Sequence, residues 1–198
     1  MKILVIGATG TIGAAVAAAL RERGHTVVAA SRQGGVRVDI DDPASVRALF
    51  EREGDVDAVV CCAGSAAFAP LGSLSDDDFA RSLRGKLMGQ VNVTRSALGK
   101  LRERGSVTLT SGVLAQAPMP GSAAVSLVNA GVEGFMRAAA LEAPRGIRVN
   151  VVSPPWVKET LEKLKMDPSG GMPAAEVART YVAAVEGTES GQVIPARR

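Results

Sequence analysis

A doubly wound α/β sheet, folded as one domain over residues 1–198, is what this sequence predicts. Three observations carry that expectation. Short apolar runs alternate with alanine-rich, helix-spaced segments along the whole chain. The first run, Ile3-Leu4-Val5-Ile6, is unbroken, as in a strand buried on both faces of a parallel sheet. It stops at Gly7-Ala8-Thr9-Gly10-Thr11-Ile12-Gly13, a glycine turn that leads straight into a helix. Such a turn brings backbone close to a pyrophosphate, and the helix N-terminus offers unpaired N–H groups and a positive dipole end.

The remaining elements follow in order. Thr11 to Arg23 carries Ile12, Val16 and Leu20 at helical spacing and ends at Gly24. His25 to Ala30 reads as the second strand and Val36 to Ile40 as a third. Only Ser31 to Gly35 joins them, about 17 Å of extended chain, enough to return to a short parallel strand but not to hold a helix. Asp42-Pro43 supplies an N-cap and a first-turn proline for a helix through Glu53. Asp57 to Cys62 is a buried strand. Ser75 with Asp78 forms a capping arrangement for a long helix to about Arg104, with Gly105 as its stop. Ser106 to Thr110 is the next strand, Ser122 to Glu142 a helix rich in small residues, and Ile147 to Val152 a further strand. Lys158 to Lys165 suits a short helix, Pro173 opens a last one ending at Gly187, and Gln192 to Ile194 suits a closing edge strand.

Composition narrows the classes of function. With 46% hydrophobic and 22% charged residues, the chain has the make-up of a soluble globular protein. Its net charge of +3 is dispersed, which argues against nucleic acid as a partner. No apolar stretch reaches membrane-spanning length, so no membrane partner is expected, and the first segment reads as a core strand instead of a signal peptide. Cys61 and Cys62 are adjacent in a strand and point to opposite faces, which suits a reducing compartment; a cytoplasmic enzyme is expected. One histidine and two adjacent cysteines cannot build a metal site of usual spacing.

In a doubly wound sheet the ligand sits at the carboxyl ends of the strands. Those ends carry the glycine turn, Ser31-Arg32, Asp39-Ile40, Cys62-Ala63-Gly64, Ser111 and Ser153-Pro154. An acid at the end of the second strand would bind ribose hydroxyls, whereas Ser31 and Arg32 suit a 2′-phosphate, so NADP(H) is expected in preference to NAD(H).

On these motifs the chain resembles the short-chain dehydrogenase/reductase superfamily, nearly from end to end. Gly7, Thr9, Gly10, Thr11, Ile12 and Gly13 match its nucleotide turn, and Asp39-Ile40 its adenine-reading pair. Cys62-Ala63-Gly64 stands where the family has Asn-Ala-Gly, and Ser111 matches the active-site serine. Ile147 to Pro154 matches the strand leading to the nicotinamide, with Val157 and Thr160 at positions that contact the nicotinamide amide and the phosphates, although Pro155 replaces a glycine. The resemblance implies a Rossmann-like fold, a small-molecule carbonyl or alcohol substrate, and a homodimer or homotetramer. Family members are commonly longer; a helix after the second strand and part of the substrate loop are missing here.

The departures concern the chemistry. The family uses a tyrosine four residues before a lysine as its acid/base; here Val125 and Asn129 hold those places. The family's helical asparagine is replaced by Lys86, so lysine and asparagine have changed places. Ser111, Lys86 and Asn129 are therefore the candidate catalytic set, expected to lie close together, with Lys86 holding cofactor or relaying a proton at a pKa depressed by partial burial. Tyr181 and His25 suit structural roles, Ser122 and Ser126 lack a basic partner, and Cys62 suits a buried position better than a nucleophile. An oxidoreductase with a modified site is the leading reading. A catalytically silent dinucleotide-binding sensor or scaffold, and a non-redox enzyme reusing the cleft, stay open.

Overall fold

The computed structural model describes residues 1–197. Among them, seven strands form one sheet: β1 (Lys2–Ile6), β2 (Thr26–Ser31), β3 (Val36–Arg37), β4 (Val56–Cys61), β5 (Leu101–Thr110), β6 (Arg148–Ser153) and β7 (Val193–Pro195). All pairs are parallel, in the spatial order β3-β2-β1-β4-β5-β6-β7. The order reverses between β1 and β4, and this switch point leaves a crevice beyond their carboxyl ends.

Helices cover both faces: α1 (Thr11–Glu22), α2 (Pro43–Glu53), α3 (Asp76–Ser82), α4 (Gly89–Leu98), α5 (Ala123–Glu142), α6 (Lys158–Lys163) and α7 (Ala174–Glu186). Side chains alternate along each strand, so one apolar pattern feeds two cores. Leu4, Ile6, Val59 and Cys61 face α2, α4 and α5, packing with Phe50, Val93 and Met136. Ile3, Val5, Ala58 and Val60 face α1 and α7, packing with Val16, Leu20 and Tyr181. Cys61 joins the first core and Cys62 packs against the second, so the two cysteines do point to opposite faces.

The caps follow the sequence. The Asp42 carboxylate accepts from the Ala44 N–H at 2.8 Å with Pro43 in the first turn, and Ser75 and Asp78 complete a reciprocal capping box. The β2–β3 connection holds no helix, and β3 lies parallel to β2. That strand is shorter than expected, however, ending at Arg37 instead of Ile40.

The long helix needs a larger correction. It ends at Leu98, not near Arg104, and Leu101 already opens β5. Leu101 is buried and pairs with Val56, while Ala58 pairs with Ser106, so β5 bulges outward over Arg102–Gly105. Burying Leu101 against the core outweighs the helix propensity of the charged residues after it. Gly105 serves the bulge: a Cβ there would stand 2.8 Å from the Asp57 carbonyl oxygen.

Candidate functional site

Two neighbouring clefts lie at the carboxyl edge. The larger, of about 640 Å³, is floored by the glycine turn. Gly7 has φ +85° and packs so tightly on the chain after β4 that a Cβ would lie 2.7 Å from the Ala63 nitrogen. Gly13 is tighter still, since its Cβ would lie 2.1 Å from the Gly7 carbonyl oxygen. The start of α1 is thereby pressed against the turn. No side chain caps that helix and no acid lies in its first turn, so its leading N–H groups are left for an anion.

Of the residues expected to bind cofactor, Gly7, Thr9 and Gly10 line this cleft from the turn. Ser31 and Arg32 line it from the end of β2, Asp39 and Ile40 from beyond β3, and Cys62, Ala63 and Gly64 from beyond β4. Gly13 sits beneath it as packing. The Thr11 hydroxyl accepts instead from the Lys163 amine of α6 at 2.6 Å. Ser31 Oγ is buried without a hydrogen-bond partner.

The smaller cavity, of about 300 Å³, is lined by Ile12, Pro154, Val157 and Thr160 from the cofactor-binding set, and by Lys86, Ser111 and Asn129. Its walls are otherwise apolar, with Val125 on α5 and a Phe68–Trp156 edge-to-face ring pair at 5.9 Å between centroids. A π-helical turn, Leu83–Met88, interrupts the passage from α3 to α4 and carries Lys86 inward. The lysine stem lies on Gly64, which has φ +129° and where a Cβ would meet Lys86 Cγ at 3.0 Å. The Lys86 amine donates to the Ser111 carbonyl oxygen at 3.2 Å. The Asn129 amide donates to the Gly112 carbonyl oxygen at 3.4 Å, and its own Oδ1 is buried with no partner. Lys86, Ser111 and Asn129 thus come together although they lie on three different elements. Burial lowers the Lys86 pKa to about 8 from an ordinary 10.5, against a smaller opposing influence of Cys61.

Sequence reasoning missed the groups that hold this arrangement. The Ser111 hydroxyl donates to Glu133 Oε1 at 2.8 Å, and the Gln116 amide donates to the same carboxyl group at 2.7 and 2.6 Å. Gln90, fully buried on α4, accepts from the Thr110 N–H and donates to the Thr110 carbonyl oxygen, fixing the end of β5. A signal for Glu133 existed: it falls at helical spacing after Val125 and Asn129, an acid in the middle of α5 with small and apolar residues on either side.

The other polar candidates are structural. Tyr181 is fully buried, its hydroxyl 2.8 Å from Thr110 Oγ1, and burial raises its pKa well above the ordinary value. Desolvation raises the pKa of the Cys62 thiol, although the residue as a whole is half-buried and lines the larger cleft. His25 meets Glu186 at 2.9 Å on the opposite edge of the sheet.

Residues 7–184 match the sequence model of a protein family described as enoyl-(acyl carrier protein) reductase. Versicolorin reductase stcU of Emericella nidulans is 33% identical over 180 residues, covering 78% of this chain and 68% of that protein. The crystal structure of protein lin1944 from Listeria innocua superposes with a TM-score of 0.94 at 40% identity over 100% of both chains. A small-chain dehydrogenase crystallised in complex with NADPH is 27% identical with a TM-score of 0.87, covering 98% of this chain and 95% of that one.

Proposed function

This chain belongs to the short-chain dehydrogenase/reductase superfamily, and from that premise we propose that it is an NADP(H)-dependent oxidoreductase of a small carbonyl or alcohol, working through a modified site. The observation that carries the reading is the convergence of Lys86, Ser111 and Asn129 on one apolar cavity beside the glycine turn.

The residues present fit a dinucleotide. The uncapped, acid-free start of α1 suits a pyrophosphate, and the unpaired Oδ1 of buried Asn129 suits a ribose hydroxyl. Ser31 and Arg32, without an acid beside them at the end of β2, favour a 2′-phosphate, in line with the neighbour crystallised with NADPH. Asp39 and Ile40 take the adenine side; Thr9, Cys62, Ala63 and Gly64 floor the cleft; Pro154, Val157 and Thr160 take the nicotinamide side. Bound there, the cofactor supplies or accepts a hydride at the substrate carbon. The chain's own residues do the rest. Lys86 places an ammonium whose pKa of about 8 suits proton exchange near neutral pH, and Ser111 offers a hydroxyl for the substrate oxygen. The apolar walls exclude water.

A catalytically silent dinucleotide-binding protein is the second reading, favoured by Val125, which lines the cavity and exchanges no proton. Calorimetric titration with NADPH and NADH, followed by NADPH oxidation with a panel of small ketones and quinones, separates the two. Tight NADPH binding with turnover lost in Lys86→Met supports the enzyme; tight binding without turnover supports the silent protein; tighter NADH binding defeats the cofactor choice.

Assembly belongs to the same proposal. Met88 on the π-helical turn and Leu127 and Leu141 on α5 are 44%, 48% and 89% exposed among small residues, a surface suited to a two-fold partner in a homodimer or homotetramer. Among the described residues no helix is long and apolar enough to cross a membrane; with two free cysteines, a cytoplasmic place is part of the proposal.

A further inference from the structure

We propose that Glu133 is the proton-exchange partner of Ser111, and that the two form a path joining the cavity to the protein surface beside Gln116; the inference rests on the oxidoreductase reading. Glu133 is 4% exposed and does not line the cavity, yet only one hydroxyl separates it from that space. A carboxyl group withdrawn from water is costly unless fully hydrogen-bonded. Its partners face two ways. Ser111 Oγ donates from the cavity side at 2.8 Å, whereas Gln116 is exposed and donates to both carboxyl oxygens. Arg137, one turn further along α5, places its guanidinium 3.8 Å from Oε2 with 59% of its side chain exposed. Glu133 therefore stands between the cavity and solvent.

Hydrogen-bond direction assigns the use. A serine hydroxyl carries one proton and two lone pairs. With its proton given to Glu133, Ser111 presents only lone pairs to the cavity and accepts from a substrate alcohol. In oxidation the substrate O–H bond breaks and its proton passes to Ser111 Oγ, while the original Ser111 proton passes to Glu133 Oε1. Glu133 then releases a proton to water beside Gln116. The electron pair of the substrate C–H bond leaves separately as hydride to a nicotinamide dinucleotide. Carbonyl reduction runs the same protons backwards. The charged side chains bearing on the pair are Arg137 and Lys86, whose amine lies 3.2 Å from the Ser111 carbonyl oxygen. The end of β5 and the turn Val113–Ala115 bring no titratable group. Alongside Lys86, the path gives the cavity a route for the proton that Val125 cannot exchange.

Two measurements on the full chain test this. Infrared difference spectra of wild type against Glu133→Gln, in H2O and D2O, isolate the Glu133 carboxyl group without any substrate. The carboxylate stretches of Glu133 should shift in D2O, as its Ser111 and Gln116 donors exchange, and be displaced in Ser111→Ala; stretches indifferent to D2O or to Ser111→Ala overturn the proposal. NADPH oxidation with 9,10-phenanthrenequinone as probe gives the second readout. Glu133→Gln should lower kcat about a hundredfold with the KM for NADPH unchanged and one limb of the pH profile lost, and Glu133→Asp should restore part of it. Undiminished kcat in Glu133→Gln overturns the path. A wild type that reduces no probe sinks the oxidoreductase reading, and the infrared result alone then decides the pairing. Should Glu133→Gln not fold, spectra of wild type against Ser111→Ala and Glu133→Asp carry the same comparison.

Discussion

The two clefts at the carboxyl edge lie side by side and are built from different material. The larger one is made of backbone: the Gly7–Gly13 turn, the start of α1 and the chain after β4, pressed together where a single Cβ would collide. The smaller one is made of side chains, with Lys86 from a π-helical turn, Ser111 from the end of β5 and Asn129 from α5, and with Glu133 of α5 behind Ser111. Backbone geometry binds whatever carries a phosphate, while side-chain geometry decides the reaction. The first can stay unchanged while the second is rewritten. In this chain the glycine turn stands next to a cavity lined by Lys86, Asn129 and Val125.

Substitutions can break that division. The largest effect is expected from Gly13→Ala. Its Cβ would stand 2.1 Å from the Gly7 carbonyl oxygen, so the turn must open. A loss of about 2–3 kcal/mol, seen as a melting temperature lower by roughly 5–10 °C, should accompany lost dinucleotide affinity. Unchanged melting would mean that the turn is not rigid.

Arg32→Ala leaves the fold alone and touches only the proposed 2′-phosphate contact. NADPH affinity should fall about tenfold to a hundredfold with NADH affinity unchanged, read by calorimetry. Equal losses for both cofactors would assign Arg32 elsewhere.

Lys86→Met separates stability from chemistry in the smaller cavity. The folded pKa of about 8 lies below the ordinary 10.5. Below about pH 8 the lysine is charged in both folded and unfolded states, and its burial cost is borne in full. Between the two values the folded protein holds it neutral, so wild-type stability rises with pH until the unfolded chain also loses its proton. The variant should therefore be more stable than wild type by on the order of 1 kcal/mol at neutral pH, and the advantage should vanish by about pH 10.5. A pH-independent difference would place the amine in water.

The smallest effect on either cleft is expected from Leu127→Glu with Leu141→Glu. The pair should reduce the mass seen by light scattering to that of one chain, while cofactor affinity barely moves. A wild type already of single-chain mass removes the assembly proposal.

Short-range pattern made much of this legible from residues alone. The glycine turn, the Asp42-Pro43 start of α2, the Ser75–Asp78 capping box and the doubly wound parallel sheet each depend on neighbours a few residues apart, or on the alternation of whole elements. The end of α4 was misplaced because Leu101 gains its energy from Val56, which is distant in sequence. Gln90 and Glu133 went unnoticed because a buried polar group is recognised by its partners, and Thr110 and Ser111 belong to another element. The sequence by itself determined the sheet, the phosphate-ready turn and the residue types at the strand ends, since local backbone conformation and apolar period are written in consecutive residues. Only the tertiary structure decided that the Lys86 amine reaches the Ser111 carbonyl oxygen and that the Ser111 hydroxyl donates a hydrogen bond to Glu133. Hydrogen bonds require placement within a few tenths of an ångström, and only packing across elements sets positions that finely.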